Sequence, residues 1–247
     1  MQPKLSYTIW FTQRTGSTLL CKALEKTQIA GIPHEWLYTW ISDHQAQNPA
    51  ELQMRLWENG STANGVFSLK HSFHEPHFTK LIETFRQFPD CPANENNRVK
   101  IWECALPNHR HIFMTRRNKV RLAVSWWKAI KTAEWHRLPG ASPKAADLAD
   151  AYSFDAIHHL YCECSMREAG IHEFFAEGGI IPFTIVYEDF IQEYEKTVRK
   201  ILTFLELDGT ELEISPPSLV QTADTISEEW VQRFREELQE GWSNRGW

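Results

Sequence analysis

The stretch YTIWFTQRTGSTLLCKAL, residues 7–24, decides the fold expected for this chain. Residues 7–12 are mostly β-branched and aromatic, as in a buried strand of a parallel sheet. Residues 13–18 contain Gly16 and form a tight loop, and the apolar residues after them recur at helical spacing. The sequence therefore predicts a strand, a loop and a helix in direct succession.

The loop presents backbone N–H groups, hydroxyl groups and the guanidinium of Arg14 at the N-terminus of the predicted helix. A helix N-terminus carries partial positive charge and unpaired N–H donors, so this loop can bind a phosphate-like anion. The alternative is that Ser17 and Thr18 only cap the helix. The composition of the loop favours anion binding and leaves the alternative open.

The loop differs from the P-loop of nucleoside-triphosphate-binding proteins, in which a Gly is followed by four residues and then by Gly-Lys-Ser/Thr. Phe11 stands where the first Gly would be, and Ser17 stands where the Lys would be. The positive charge comes instead from Arg14, whose planar guanidinium can donate to two oxygens at once. The spacing predicts an anion site without the P-loop lysine.

The size and composition of the chain indicate a single domain over residues 1–247. Its hydrophobic content of 42% is typical of a globular protein, and its net charge of −6 argues against broad nucleic-acid binding. No secretion leader opens the sequence, and no apolar run approaches the roughly 20 residues that span a bilayer. The five Cys have no framework spacing, so we expect a cytoplasmic protein.

Four strand candidates, residues 7–12, 66–70, 111–115 and 183–187, are each followed by a helical pattern. This alternation predicts an α/β fold with a central parallel sheet of about four to five strands flanked by helices. Ligands of such sheets bind at the carboxyl ends of the strands. That edge brings together the loop, Lys70, Arg116, Arg117 and the acidic pair Glu188-Asp189.

Several cations begin the helix that follows the third strand: Arg116, Arg117, Lys119 and Arg121. Cations at this end oppose the helix dipole, so their presence favours a bound anion. Arg117 and Ser125 share one helix face, because eight residues separate them. Two anion sites at one edge predict a ligand with two separated anionic groups, such as a nucleotide phosphorylated at both ends. The alternative is a solvated basic face.

These motifs resemble those of sulfotransferases, which use 3′-phosphoadenosine 5′-phosphosulfate (PAPS) as the sulfate donor. Residues 13–20 resemble the phosphosulfate-binding loop, and Arg117 with Ser125 resembles the Arg/Ser pair that holds the 3′-phosphate. Within this superfamily the sequence is most similar to the bacterial trehalose sulfotransferase family. The blocks that carry this likeness include residues 29–36, 123–130 and 228–231.

The resemblance implies a P-loop-like sulfotransferase fold and transfer of a sulfuryl group from PAPS to a hydroxyl of a carbohydrate or other small molecule, such as a sugar or glycolipid. It implies Glu35 as the general base, and Arg14 and Lys70 as further catalytic residues. It implies acceptor binding by Glu35, Trp36 and Trp127. The donor-binding residues that it implies are Gln13, Arg14, Thr15, Gly16, Ser17, Thr18, Arg117 and Ser125.

The sequence also departs from parts of this pattern. Lys70 is followed by His71 and Ser72, so the Lys-x-His pair of the cytosolic branch is absent. Lys70 could equally be a surface lysine, and Trp127 could be a core residue. No pair of carboxylates is placed to hold magnesium, and we expect no metal. An ATP-dependent small-molecule kinase and a non-catalytic nucleotide-sensing module remain alternatives, and the oligomeric state is open, with a homodimer as one arrangement.

Overall fold

A computed structural model of the protein describes residues 1–38, 48–144, 146–148 and 150–241. Four strands form one sheet in the order β2-β1-β3-β4, and every neighbouring pair is parallel. The prediction of a central parallel sheet flanked by helices is therefore confirmed. The strands are β1 (Leu5–Phe11), β2 (Val66–His71), β3 (His109–Thr115) and β4 (Phe183–Val186).

Helices connect the strands and cover both faces of the sheet. Within the described ranges they are α1 (Ser17–Lys26), α2 (Pro49–Gly60), α3 (His77–Phe85), α4 (Arg98–Ala105), α5 (Lys119–Thr132), α6 (Phe154–Gly178), α7 (Tyr187–Gln192), α8 (Tyr194–Phe204) and α9 (Thr225–Gln239). None of these helices is long and apolar enough to cross a membrane.

The central strand β1 is buried on both faces, which explains its unbroken run of apolar and aromatic residues. On one face Trp10 packs in a cluster with Trp102 of α4 and Phe174 of α6. On the other face Tyr7 and Ile9 pack against α1 and α8. A third cluster joins α5, α6 and α9 beside the sheet. This packing fixes the carboxyl ends of β1, β2 and β3 next to one another.

A group of buried histidines makes the stability of this core dependent on pH. His111 is 5% exposed, its Nδ1 accepts a 3.0 Å hydrogen bond from Trp10 Nε1, and its Nε2 has no partner. Burial lowers the pKa of His111 to about 4, and burial also lowers the pKa values of His71 and His109. The folded protein thus keeps these rings neutral at pH values where the unfolded chain protonates them.

We therefore expect the free energy of unfolding to fall as the pH is lowered from about 7 to about 5, because the unfolded state then binds more protons. His111 alone accounts for about 2 kcal/mol of this loss at pH 5. Urea unfolding at the two pH values measures this fall. In His111→Gln the free energy of unfolding should fall by about 2 kcal/mol less than in the wild-type protein. The matched control is His159→Gln, on the exposed side of α6. An undiminished loss in His111→Gln would contradict this account.

Candidate active site

The loop between β1 and α1 leaves the first turn of α1 without a side-chain cap. Gly16 occupies the N-cap position with a φ of 83°, and no side chain accepts a hydrogen bond from the first turn. Thr15 Oγ1 instead donates to the carbonyl of Thr12, and Thr18 Oγ1 accepts from Lys70 Nζ. The interpretation of Ser17 and Thr18 as simple caps is therefore wrong. The N–H groups at this helix end are available to an anion.

Only glycine fits at position 16. A φ of 83° lies in the left-handed region, and a Cβ at this position would stand 2.6 Å from a ring carbon of Tyr187. The loop can therefore approach the start of α7 closely. This approach closes one side of a cavity of about 510 Å³, which we call the larger cavity.

The larger cavity brings the loop and α5, two segments of the predicted anion sites, together. Its wall includes the loop residues Arg14, Gly16, Ser17 and Thr18, together with Ser125 of α5. Arg14 Nε donates a 3.0 Å hydrogen bond to Ser125 Oγ, so the loop and α5 are in direct contact. The sequence predicted two anion sites at the same edge of the sheet, and in the structure a hydrogen bond connects a residue of each.

Arg116 is a second arginine in the wall of the larger cavity, which also includes Arg121 and Lys128. Its side chain is 13% exposed, and its guanidinium lies 4.9 Å from the ring centroid of Tyr187. Its Nε is buried without a hydrogen bond, since Glu188 Oε1 is 3.6 Å away. Burial lowers the pKa of Arg116, and burial together with the charge of Arg116 lowers the pKa of Arg14. An anion between the two guanidinium groups would relieve this repulsion and supply the missing acceptor.

Arg117 lies elsewhere, which corrects its predicted placement beside Ser125. Its Nη2 donates to both carboxylate oxygens of Asp189 at 3.1 and 2.9 Å on the exposed surface. The cause is the start of α5: the helix begins at Lys119 with Asn118 as its N-cap, so Arg117 precedes the helix and does not share the helix face of Ser125. Arg116, one residue earlier, lies in the wall of the larger cavity instead.

A smaller cavity of about 260 Å³ lies on the other side of the loop. Lys70 Nζ lies 2.9 Å from Glu35 Oε1 and donates to Thr18 Oγ1 at 3.1 Å, so one ammonium group joins Glu35 to the loop. The Lys70 side chain is 8% exposed, which is not the position of a solvated surface lysine. Glu35 reaches this place because Lys70 N donates to the carbonyl of His34, extending the edge of β2.

Neither Trp36 nor Trp127 is among the described residues that line the two cavities. Trp36 Nε1 donates to the carbonyl of Ile32, and Trp127 Nε1 donates to the carbonyl of Ala151. Their place beside the smaller cavity is taken by Trp126 and Trp135. Adjacent helical residues differ by about 100° in direction. Trp126 is buried in the third core cluster and also reaches the cavity wall, whereas Trp127 is partly buried against that cluster and does not reach the cavity.

Arg167 of α6 is a cavity residue that no motif indicated. Its Nη1 donates to Gln13 Oε1 and to Ser72 Oγ, both at 3.1 Å, and its guanidinium lies 5.4 Å from the ring centroid of Trp126. Arg167 thus fixes the first residue of the loop against the smaller cavity. Within the described residues, no cluster of three or more His, Cys, Asp or Glu side chains could hold a metal ion.

The structure is thus an α/β protein with a parallel sheet, an uncapped loop of the kind that suits an anion, and a second cavity beside it. The family profile described as Stf0 sulphotransferase matches residues 6–237. The chain belongs to the Stf0 sulphotransferase family.

The chain is similar to two trehalose 2-sulfotransferases along almost its whole length. It is 29% identical to the protein of Mycobacterium tuberculosis (strain ATCC 35801 / TMC 107 / Erdman), with 94% of each chain covered. It is 25% identical to the protein of Mycolicibacterium smegmatis (strain ATCC 700084 / mc(2)155), with 95% of this chain and 96% of the relative covered. A solved sulfotransferase domain from the Synechococcus PCC 7002 olefin synthase aligns with 12% identity and a TM-score of 0.38 over 99% of this chain and 97% of that one.

Proposed function

We propose that this protein transfers a sulfuryl group from PAPS to a hydroxyl group of a sugar, as a single domain over residues 1–247. The observation that carries the proposal is the position of Lys70, which contacts Thr18 of the anion loop on one side and Glu35 on the other. This contact sets a carboxylate next to the loop that would hold the reacting group. A group-transfer enzyme needs that juxtaposition, whereas a module that only senses a nucleotide does not.

The larger cavity fits a donor with anionic groups at two places. The N–H groups at the start of α1 would hold the phosphosulfate, with Arg14 as the nearby cation. Arg116 and Ser125 would hold the 3′-phosphate, and the buried Arg116 Nε, which has no hydrogen bond, supports this assignment. A volume of about 510 Å³ is of the size that a nucleotide ligand occupies.

The residues between the cavities supply the chemistry that sulfuryl transfer requires. The acceptor hydroxyl oxygen forms a bond to sulfur while the bond from sulfur to the bridging oxygen of the 5′-phosphate breaks, and adenosine 3′,5′-bisphosphate leaves. Glu35 takes the proton from the attacking hydroxyl. Lys70, Arg14 and the loop N–H groups stabilise the charge on the sulfuryl and bridging oxygens.

The lining of the smaller cavity suits a sugar acceptor. The indole of Trp135 and the ring of Tyr38 offer apolar faces for a sugar ring, while Gln13 and Ser72 offer hydrogen-bonding groups for its hydroxyls. The two relatives named trehalose 2-sulfotransferase make trehalose the first acceptor to test.

The proposal is tested by incubating the purified protein with trehalose and a panel of other sugars and glycolipids, with either PAPS or ATP and Mg²⁺ as donor. We expect a sulfated sugar, identified by mass, together with an equal amount of adenosine 3′,5′-bisphosphate, and no phosphorylated sugar from ATP. Phosphate transfer from ATP would establish the kinase alternative. Nucleotide binding without any turnover over the whole panel would favour the sensing module.

A further inference from the structure

We propose that Trp135 is a positioning residue that keeps water out of the junction between the two cavities and thereby suppresses transfer of the sulfuryl group to water. The inference rests on the proposed function. Among the described residues, Trp135 alone belongs to the walls of both the larger and the smaller cavity. Trp135 therefore borders the place where a donor in one cavity meets an acceptor in the other.

Trp135 is presented by a short segment, residues 133–137, that we call the strap. The strap leaves α5 at Ala133, which has a φ of 52° in the left-handed region. Glu134 is buried and accepts hydrogen bonds from Arg137 Nε at 2.9 Å and Arg137 Nη2 at 2.6 Å. Lys144 Nζ donates to the carbonyl of Ala133 at 2.8 Å. These contacts hold the strap without using the indole of Trp135.

The loop fixes the strap from the side of the larger cavity. Arg14 Nη1 donates to the backbone carbonyl of Trp135, and Arg14 Nη2 donates to Thr222 Oγ1 at 3.1 Å. Because the strap contact uses a backbone oxygen, it is available to any residue at position 135. A substitution of Trp135 therefore removes the ring and leaves the position of the strap unchanged.

The indole is a large apolar group left 43% exposed at this junction. The next residue, His136, lines the larger cavity, and burial, together with the charges of Arg14 and Lys70, lowers its pKa to about 4. At neutral pH the strap thus presents the apolar ring of Trp135 and the uncharged imidazole of His136 near Arg14 and Lys70. Apolar surface at this place excludes water from groups that would otherwise activate it.

Water is the natural competitor of the sugar at this junction. Its oxygen can form the bond to sulfur while the bond from sulfur to the bridging oxygen breaks, giving inorganic sulfate and adenosine 3′,5′-bisphosphate. The proton of the attacking water goes to Glu35 and then to solvent, and nothing is oxidised or reduced. Glu35 and Lys70 already lie against the loop without an acceptor, so a barrier to water is needed.

The test compares Trp135→Ala and Trp135→Phe with the wild-type protein and with Leu138→Ala. Leu138 is a matched control, because it is an exposed apolar residue that follows the strap and lies outside both cavity walls. Each protein is given PAPS with and without trehalose, and inorganic sulfate, sulfated sugar and adenosine 3′,5′-bisphosphate are quantified. The readout is the rate of inorganic sulfate release from PAPS without sugar, because this rate does not depend on how well the sugar binds.

We expect Trp135→Ala to raise this rate about 10-fold or more, while Trp135→Phe and Leu138→Ala stay within about 2-fold of wild type. A purely structural or sugar-binding role of Trp135 would not raise sulfate release, and that result overturns the inference while the proposed function stands. A wild-type protein that releases no adenosine 3′,5′-bisphosphate from PAPS with any sugar of the panel overturns the proposed function and this inference with it.

Discussion

Replacing Glu35 with Gln is expected to lower kcat for sugar sulfation about 100-fold or more, because the amide keeps the shape of the side chain and cannot accept the proton of the attacking hydroxyl. Binding of adenosine 3′,5′-bisphosphate should stay close to wild type, since Glu35 lies in the smaller cavity. Initial rates at saturating PAPS and sugar give kcat, and calorimetric titration gives the affinity for the bisphosphate.

The matched control for this variant is Glu25→Gln, on the exposed side of α1 and outside both cavity walls. It should keep the wild-type kcat. If Glu35→Gln turns over at a near-normal rate with a confirmed acceptor, Glu35 is not the base. If the variant loses bisphosphate binding as well, Glu35 acts through the position of Lys70 and the loop.

Replacing Arg116 with Ala is expected to weaken binding of adenosine 3′,5′-bisphosphate about 10- to 100-fold, because a buried charge-assisted contact with the 3′-phosphate is lost. Affinity for adenosine 5′-monophosphate, which lacks that phosphate, should change little. Calorimetric titration of both nucleotides into the variant and into the wild-type protein measures how much affinity each nucleotide loses.

Arg117→Ala is the matched control, one residue away on the same segment. Its exposed ion pair with Asp189 lies outside the larger cavity, so it should change either affinity by less than about 2-fold. The opposite pattern, with Arg117→Ala losing the bisphosphate and Arg116→Ala keeping it, would contradict the structural assignment and restore the one made from residue spacing.

The fold was predictable because the signals that set it are local. A β-branched run at residues 7–12, a Gly-containing loop and a helical pattern define one unit, and three further units repeat the succession. The rule that ligands bind at the carboxyl ends of parallel strands then placed Lys70 and Arg116-Arg117 near the loop. That rule states which edge of the sheet a residue reaches, and it does not state which way the side chain points.

The details of the site depended on side-chain direction and on long-range contacts. Trp126 and Trp127 are adjacent in α5 and differ in the direction that each side chain takes around the helix axis. A short sequence pattern does not determine that direction. Arg167 meets Gln13 across 154 residues of sequence, and no local motif encodes such a contact. Trp135 reaches the junction because of a left-handed turn at Ala133, a conformation that sequence rarely indicates for a residue other than Gly.

The most direct test of the account is a crystal structure of the protein with adenosine 3′,5′-bisphosphate and trehalose bound together. The account predicts the 5′-phosphate at the start of α1, the 3′-phosphate within hydrogen-bonding distance of Arg116 and Ser125, and a sugar hydroxyl within hydrogen-bonding distance of Glu35. A nucleotide bound outside the larger cavity, or a sugar with no hydroxyl between Glu35 and the loop, would contradict it.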